Sequence, residues 1–456
     1  METVLDSISR KNAPFSPQAA KAASPQDKPS AGGNSVPAID GATLVSILHS
    51  QMQRATGCTE VGAAALVAAR AAQVLGRVPE RLDLTVSPNI FKNGIHVAVP
   101  GTPFRGLAPA AAIGVVIGDA AAGLAVMDAV TEETVARAQT LLQEHRVTAT
   151  FITDDDGLYL RAEAKAGNDT AVAEIAGAHD RFVRVSRNGT VLFSDERPED
   201  GADPADVLKT IPVAQVLDAV DRIPIADLEF LMDAARLNAR AAEADLADAS
   251  PLGRALAARN AEAPSPRAAA QALAGAASEA RMGGKPVPVM AITGSGNHGI
   301  ANFLGVLGLA ESLKATREQT IRALAISSLV TTCIKAHTGK LTAFCGCAIA
   351  PATGLAAAAT CLMGGDARIR DRAMQSVIGT FAGMLCDGAK ESCAFKVTAV
   401  VGAAIDMAAL AVRGAFVPDH NGIVGGSVDE TFANLGRLND PGMRETEKVV
   451  LDIISK

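Results

Sequence analysis

The sequence predicts an α+β protein: a large Ala/Gly-rich helical domain that carries the chemistry, and a smaller α+β domain with a mainly antiparallel sheet. Two patterns predict this. From about residue 80 to 198 apolar residues alternate around turn-forming dipeptides, whereas beyond 203 they recur at i, i+3 and i+4. Composition supplies a third observation. Hydrophobic residues make up 48% of the 456-residue chain but aromatics only 3%, with no Trp, one Tyr and 41 Gly. The core is therefore aliphatic, and its helices can approach closely.

Taken in order, residues 1–38 form a Pro/Ser/Ala/Lys-rich tail without apolar periodicity and read as disordered. Residues 39–79 read as N-terminal helices packing with the catalytic domain. Leu44, Ile47, Leu48 and Met52 mark a helix running toward Gly57-Cys58-Thr59-Glu60, and an Ala-rich helix follows to about Gly76. In the α+β domain (80–198), Leu82–Ser87 and Gly94–Val99 alternate like strands. Thr131–His145 reads as a helix, with Thr131 as N-cap and Glu132 and Glu133 in its first turn. Hairpins are expected for Phe151–Ala162 around Asp156-Gly157 and for Phe182–Phe193 around Asn188-Gly189, with a short helix at Thr170–Ala178 between them. Glu196–Asp203 is a charged connector. The helical domain (199–456) shows helical spacing in Val213–Val220, Leu228–Leu237 and Ile300–Leu313, and Ser250–Pro266 reads as a loop. No internal repeat is visible.

The net charge of −7, without basic clusters or aromatic platforms, argues against nucleic acid as a partner. The start of the chain lacks the basic-then-apolar shape of a secretory signal. Two long uncharged stretches, Pro286–Ala310 and Leu341–Gly365, are too rich in Gly, Ala and Thr to suggest membrane spans, and read as buried catalytic helices. Seven Cys, an odd number, fit a reducing, cytoplasmic location better than a disulfide framework. Cys333 and Cys361 read as small buried apolar residues.

Four clusters carry the chemistry. The first is Thr56-Gly57-Cys58-Thr59-Glu60, at a junction between helices. The second is Ser87-Pro88-Asn89-Ile90-Phe91-Lys92-Asn93, followed by Val99-Pro100-Gly101-Thr102. The third is Thr293-Gly294-Ser295-Gly296-Asn297-His298-Gly299, whose glycines can expose backbone N–H groups to an anion at a helix N-terminus. The fourth joins Cys345-Gly346-Cys347 to Cys386-Asp387-Gly388-Ala389-Lys390-Glu391-Ser392-Cys393. Its thiolates would select an iron–sulfur cluster or zinc, yet the spacing matches no zinc finger or ferredoxin, and buried structural Cys is an equal reading.

Together, and in this order, the clusters resemble the L-cysteine desulfidase family, relatives of the iron–sulfur-dependent L-serine dehydratases. The resemblance runs from about Leu44 to the C-terminus and includes Ile334-Lys335, Gly339-Lys340-Leu341 and Cys393-Ala394-Phe395-Lys396. It implies a [4Fe–4S] cluster on Cys345, Cys386 and Cys393, with Cys347 the alternative to Cys345. It also implies β-elimination from a small-molecule L-amino acid, cysteine first, then serine or a β-substituted acidic amino acid. Cys58 falls at the family's catalytic Cys, with Glu60 beside it. Ser295, Asn297 and His298 would grip the substrate, assisted by Ser87, Asn89, Lys92, Asn93 and Lys390. A homodimer is a possible assembly.

The chain departs from the usual family pattern at Val61, His298 and Pro351. A titrating His298 would favour a substrate with an additional anionic group. Two other readings compete. Ser295-Gly296-Asn297-His298-Gly299 also resembles a loop of pyridoxal-phosphate-dependent dehydratases, although the nearest preceding Lys, Lys285, is too close to serve as the Schiff base. The other is a non-catalytic metal or redox sensor on the same scaffold. His49, His145 and His420 read as surface or helix-end residues, His179 and His337 as structural partners, and His96 as a strand residue.

Overall fold

The computed structural model describes residues 39–152, 157–195 and 203–455. The expected tail (1–38) and the connector from Glu196 to residue 202 lie outside the described residues.

A six-stranded sheet is built from Arg81–Val86, Val147–Phe151, Tyr159–Ala166, Asp169–Ala176, Phe182–Arg187 and Thr190–Ser194. Arg81–Val86 lies between Val147–Phe151, its one parallel neighbour, and Tyr159–Ala166; the other pairings are antiparallel. Strict alternation buries Leu82, Leu84, Leu160, Ala162, Ala164, Ala171, Ala173 and Ile175 on one face. The helix Thr59–Leu75 packs on that face, and the small strand alanines let it sit close.

The Asn188-Gly189 hairpin is present, with φ +48° and +81° at the turn as a two-residue turn of this type demands. Three expectations fail. Phe151 and Tyr159 do not join a hairpin, because Arg81–Val86 inserts between their strands; of that turn dipeptide only Gly157 is described. Thr170–Ala178 is mostly strand, since its alternate residues feed the core and burial overrides the helical preference of Ala and Glu. Gly94 ends a helix, Pro88–Gly94, and the stretch to Val99 is irregular apart from a bridge between Ala98 and Arg105.

A second hydrophobic core is helical. Its central helix, Gly296–Ser312, is buried from Gly296 to Ala310. Around it pack Phe230–Ala247, Pro266–Met282, Arg317–Thr338, Gly346–Leu362 and Ser392–Val412. The segment read as a loop, Ser250–Pro266, contains the helix Pro251–Glu262; Pro251 and Pro266 occupy first-turn positions, where proline starts helices rather than breaking them. The 39–79 segment divides: Gly41–Gln51 joins the helical core, whereas Thr59–Leu75 belongs to the sheet's core. Between them an unanticipated strand, Met52–Thr56, pairs antiparallel with Pro288–Ile292. This ribbon leads directly into two of the four sequence clusters.

Among the described residues one helix, Ser392–Val412, is long and apolar enough to cross a membrane, and half of its apolar window is buried. It packs along Pro266–Met282 and Gly346–Leu362.

Candidate active site

Four helices open on one cavity. Cys58 precedes Thr59–Leu75, Ser295 precedes Gly296–Ser312, Cys345 precedes Gly346–Leu362, and Cys393 lies in the first turn of Ser392–Val412. All four residues line the cavity, joined by Cys347 and Cys386. At none of these four starts does a side chain cap the helix. Each therefore turns the positive end of its dipole to the cavity, which favours anions and thiolates, although at Ser392–Val412 the N–H groups of Cys393 and Ala394 are already taken by Lys390 O and Glu391 O.

Local backbone explains how the parts meet. Phe344 and Leu385 form an isolated antiparallel bridge, and Cys345 N donates to Met384 O at 2.6 Å while Cys386 N donates to Ala343 O at 2.9 Å. Asp387 then pins the Cys386–Cys393 loop, accepting from Lys390 and Lys396, each at 2.7 Å. Burial works against its ionisation, but these two ammonium groups outweigh it and hold its carboxyl down at about 2. On the other side, Gly57 turns with φ +73°, and a Cβ there would lie 2.1 Å from Pro100 Cγ. Only glycine lets Cys58 approach over the Val99-Pro100-Gly101-Thr102 segment.

The thiols differ in setting. Cys58 donates to Glu60 Oε2 at 2.7 Å, and burial followed by the Glu60 charge pushes its thiol well above the ordinary range. Glu60 resists burial: His179, the Cys58 bond and Arg281 together hold its carboxyl below its usual value. The pair is therefore a protonated thiol on an ionised carboxylate. Asn93 links this pair to the other cysteines, with Nδ2 on Glu60 Oε1 at 2.9 Å and Oδ1 3.8 Å from Cys386 Sγ. Burial raises the Cys345, Cys347 and Cys393 thiols, Cys347 to about 12, and neighbouring thiols raise each further. Cys347 also contacts Ser295 Oγ at 3.2 Å.

Such mutually opposed, buried soft donors fit a cationic iron–sulfur core, which would neutralise them together. Among the described residues no three His, Cys, Asp or Glu side chains are close enough to chelate a single ion. The ligands of a multi-iron cluster stand further apart, by the width of the cluster itself.

Of the residues singled out from sequence, Cys58, Glu60, Asn93, Ser295, Asn297, His298, Cys345, Cys386 and Cys393 line the cavity. Ser87, Asn89, Lys92 and Lys390 do not. Ser87 Oγ accepts from Tyr159 N at 3.2 Å and fixes a strand end. Asn89 faces a separate cleft on the far side of Lys340 and Leu341. Lys92 is fully buried as a strut, donating to Thr342 O at 3.3 Å and pairing with Glu447 of the Arg444–Ile454 helix. Lys390 is turned to Asp387. Within the lining, Asn297 spends its amide on Ser278 and Met282.

His298 also departs from expectation. Burial and then the Lys335 charge push it down to about 3, and its Nδ1 is held by Thr293 Oγ1 at 2.8 Å and Ile292 O at 3.0 Å. It is a neutral imidazole at physiological pH and supplies no charged hydrogen bond. His179, read as a structural partner, stands 4.0 Å from Glu60 and belongs to the site's electrostatics.

Sequence reasoning assigned no role to three cations, of which Lys335 and Lys396 lie within the motifs of the resemblance. Arg281 and Lys396 line the cavity. Lys335 is 4% exposed, and its Nζ has no hydrogen-bond partner. Burial pulls the Lys335 ammonium down to about 8, against the opposing pull of Cys347, Cys386 and Cys345. A wider cleft of about 870 Å³, lined by Lys335, Thr293 and Lys340, adjoins the cysteine cavity at Lys340. Lys285 pairs with Asp245 at 3.2 Å and Asp248 at 3.0 Å and does not line the cavity.

Comparison with known sequences places this geometry. The pattern of the serine dehydratase alpha chain family matches residues 121–452. A UPF0597 protein of Methanocella arvoryzae is 46% identical over 421 residues, spanning 91% of this chain and 99% of the relative. UPF0597 proteins of Caldanaerobacter subterraneus subsp. tengcongensis and Clostridioides difficile are 34% and 35% identical, over 91% and 90% of this chain and 98% and 99% of theirs.

Proposed function

We propose, for a chain that belongs to the serine dehydratase alpha chain family, iron–sulfur-dependent β-elimination from an L-amino acid, with L-cysteine as the leading substrate. L-Serine is the second reading, favoured by the name of the matching family. The α-proton and the β-substituent leave together as H⁺ and HS⁻ (or OH⁻). The resulting enamine takes up water and becomes pyruvate and ammonium without further help. The observation that carries the reading is the convergence of Cys345, Cys386 and Cys393 with Cys58 on one cavity fed by four uncapped helix starts.

Cys345, Cys386 and Cys393 would hold a [4Fe–4S] cluster. Such a cluster, when bound on three ligands, supplies a Lewis-acidic iron for the leaving sulfur or oxygen. Everything else falls to the chain. Cys58 can abstract the α-proton only as a thiolate, its own proton having passed along the 2.7 Å contact to Glu60; burial and the Glu60 charge oppose that transfer, and the positive charge of Arg281 favours it. Asn93 fixes Glu60 for that transfer. The first N–H groups of Gly296–Ser312 favour the negative end of the substrate, and neutral His298 shapes the wall beside Gly346.

The test is anaerobic purification with iron and sulfide counting, followed by pyruvate measurement from L-cysteine and L-serine side by side. Cluster content with pyruvate from either amino acid is the expected result. Iron-loaded protein that forms no pyruvate from any β-substituted amino acid would reduce the site to a sensor.

A further inference from the structure

We infer that Arg281 seats the α-carboxylate of the amino-acid substrate. This rests on the elimination reading above and adds the group that recognises the substrate's acid.

Arg281 lies in the last turn of Pro266–Met282 and is 3% exposed. Its Nε donates to Gly57 O at 3.0 Å and its Nη1 contacts Met282 Sδ at 3.2 Å. Among the described residues, no carboxylate within 4.0 Å pairs with it. A guanidinium has five N–H donors, and one carbonyl and one thioether leave most of them without a strong acceptor. Burying such a cation without a paired anion is costly, and Glu60, the ionised carboxylate that feels its charge, is engaged by Cys58, Thr59 and Asn93 instead. The cavity is the side on which an anion can reach it, for Arg281 is part of the lining.

Its position suits a carboxylate. A Cβ on Gly296 would lie 2.3 Å from Arg281 Nε and 2.9 Å from Cζ, so the guanidinium packs directly against the start of Gly296–Ser312. The uncapped N–H groups of that helix and the guanidinium fork thus face the same space. A carboxylate there would receive two charge-assisted bonds from the fork and a share of the helix dipole. Arg281 also bears electrostatically on both Cys58 and Glu60. An acid held here sets the α-carbon beside the Cys58–Glu60 pair and leaves the β-substituent free to point toward Cys345, Cys386 and Cys393. Lys335, a second buried cation, has Cys347, Cys386 and Cys345 as its neighbours, and its charge would balance their thiolates instead.

Calorimetry of the anaerobic protein with L-alanine and L-alaninamide tests this. Neither compound has a β-leaving group, and they differ only at the carboxylate. Wild type should bind alanine about tenfold to a hundredfold more tightly than the amide. Arg281→Met should bring that ratio to about one, with Arg281→Lys in between because it keeps the charge but loses the fork. Should Arg281→Met not fold, Gly296→Ala carries the test, since its methyl displaces the guanidinium while the arginine is retained. A wild-type ratio near one, or an undiminished ratio in a folded Arg281→Met or Gly296→Ala protein, overturns the assignment. Iron content and pyruvate formation on the same wild-type sample decide the elimination reading separately. A sample lacking both that still prefers the acid through Arg281 keeps this seat and loses that reading.

Discussion

The helix starts that carry a side-chain cap all lie away from the cavity, and the four at the cavity carry none, a lack they share with the starts after Ser87, Gly106, Pro212, Glu229, Ser250 and Met443. At the surface, Asp40, Thr131, Ser265, Thr316, Asp366 and Ser427 each accept a backbone N–H from the first turn, and Thr316 with Gln319 forms a reciprocal capping box. At the cavity, Cys58, Ser295, Cys345 and Glu391 make no such bond. A side-chain cap contributes about 0.5–2 kcal/mol. The cavity forgoes that stabilisation four times over and turns the positive ends of its helix dipoles to a guest. Local stability and chemistry are thus allotted to different helix ends of one fold.

Substitutions at the two kinds of helix end can break or sharpen this contrast. The largest effect is expected at the thiols. Cys386→Ser or Cys393→Ser should abolish bound iron and sulfide, whereas Cys361→Ser, at the far end of Gly346–Leu362, should leave both counts at the wild-type level. Next is Cys58→Ala, which should retain the cluster yet slow pyruvate formation by about 10²-fold or more, the usual worth of a positioned proton-transfer group. A variant with full rate would show that Cys58 only fills space.

Smaller effects compare caps directly. Thr316→Ala should cost about 1 kcal/mol in urea unfolding with iron content unchanged. Ser295→Ala, which removes no cap bond, should leave stability nearly untouched and alter the environment of Cys347 instead. Equal losses at both sites would erase the distinction. The smallest effect is expected for His298→Gln. Since the imidazole is neutral, the order of preference among cysteine, serine and acidic amino acids should survive in parallel rate assays.

A pH series offers a contrast away from the cavity. Burial, aided by Glu279, pushes the Asp245 carboxyl up to about 6, against the pull of Ser250 and Lys285. The folded state therefore holds this proton more tightly than the unfolded chain. The stability it contributes is present below pH ~4 and lost as pH rises through ~6. Asp245→Asn should accordingly change melting temperature more favourably at pH 7 than at pH 4.

What the sequence disclosed depended on whether function left a local pattern. The four clusters were legible because glycines and cysteines stand out in an Ala-rich background, and all four reach the cavity in part. The second did not behave as a binding loop: Ser87, Asn89 and Lys92 are polar for reasons of construction, and only Asn93 turns inward. Arg281 was missed because it is one cation in a helix whose pattern looks ordinary, and Lys335, although part of the Ile334-Lys335 motif, received no role; their meaning comes from burial beside the cysteines and Glu60, a three-dimensional property. Residues 170–176 were misread because Ala-Val-Ala-Glu-Ile-Ala satisfies both periods, and only the neighbouring strands choose between them.

The ribbon that pairs Met52–Thr56 with Pro288–Ile292 also sets an order in time. Cys58 leaves the ribosome early, and Cys393 follows after an interval on the order of tens of seconds at bacterial or eukaryotic elongation rates. Until the later strand emerges, the earlier one has no partner, and the cysteines it must meet are not yet made. Whatever the cavity receives can therefore be held by all of its cysteines only once nearly the whole chain has been made.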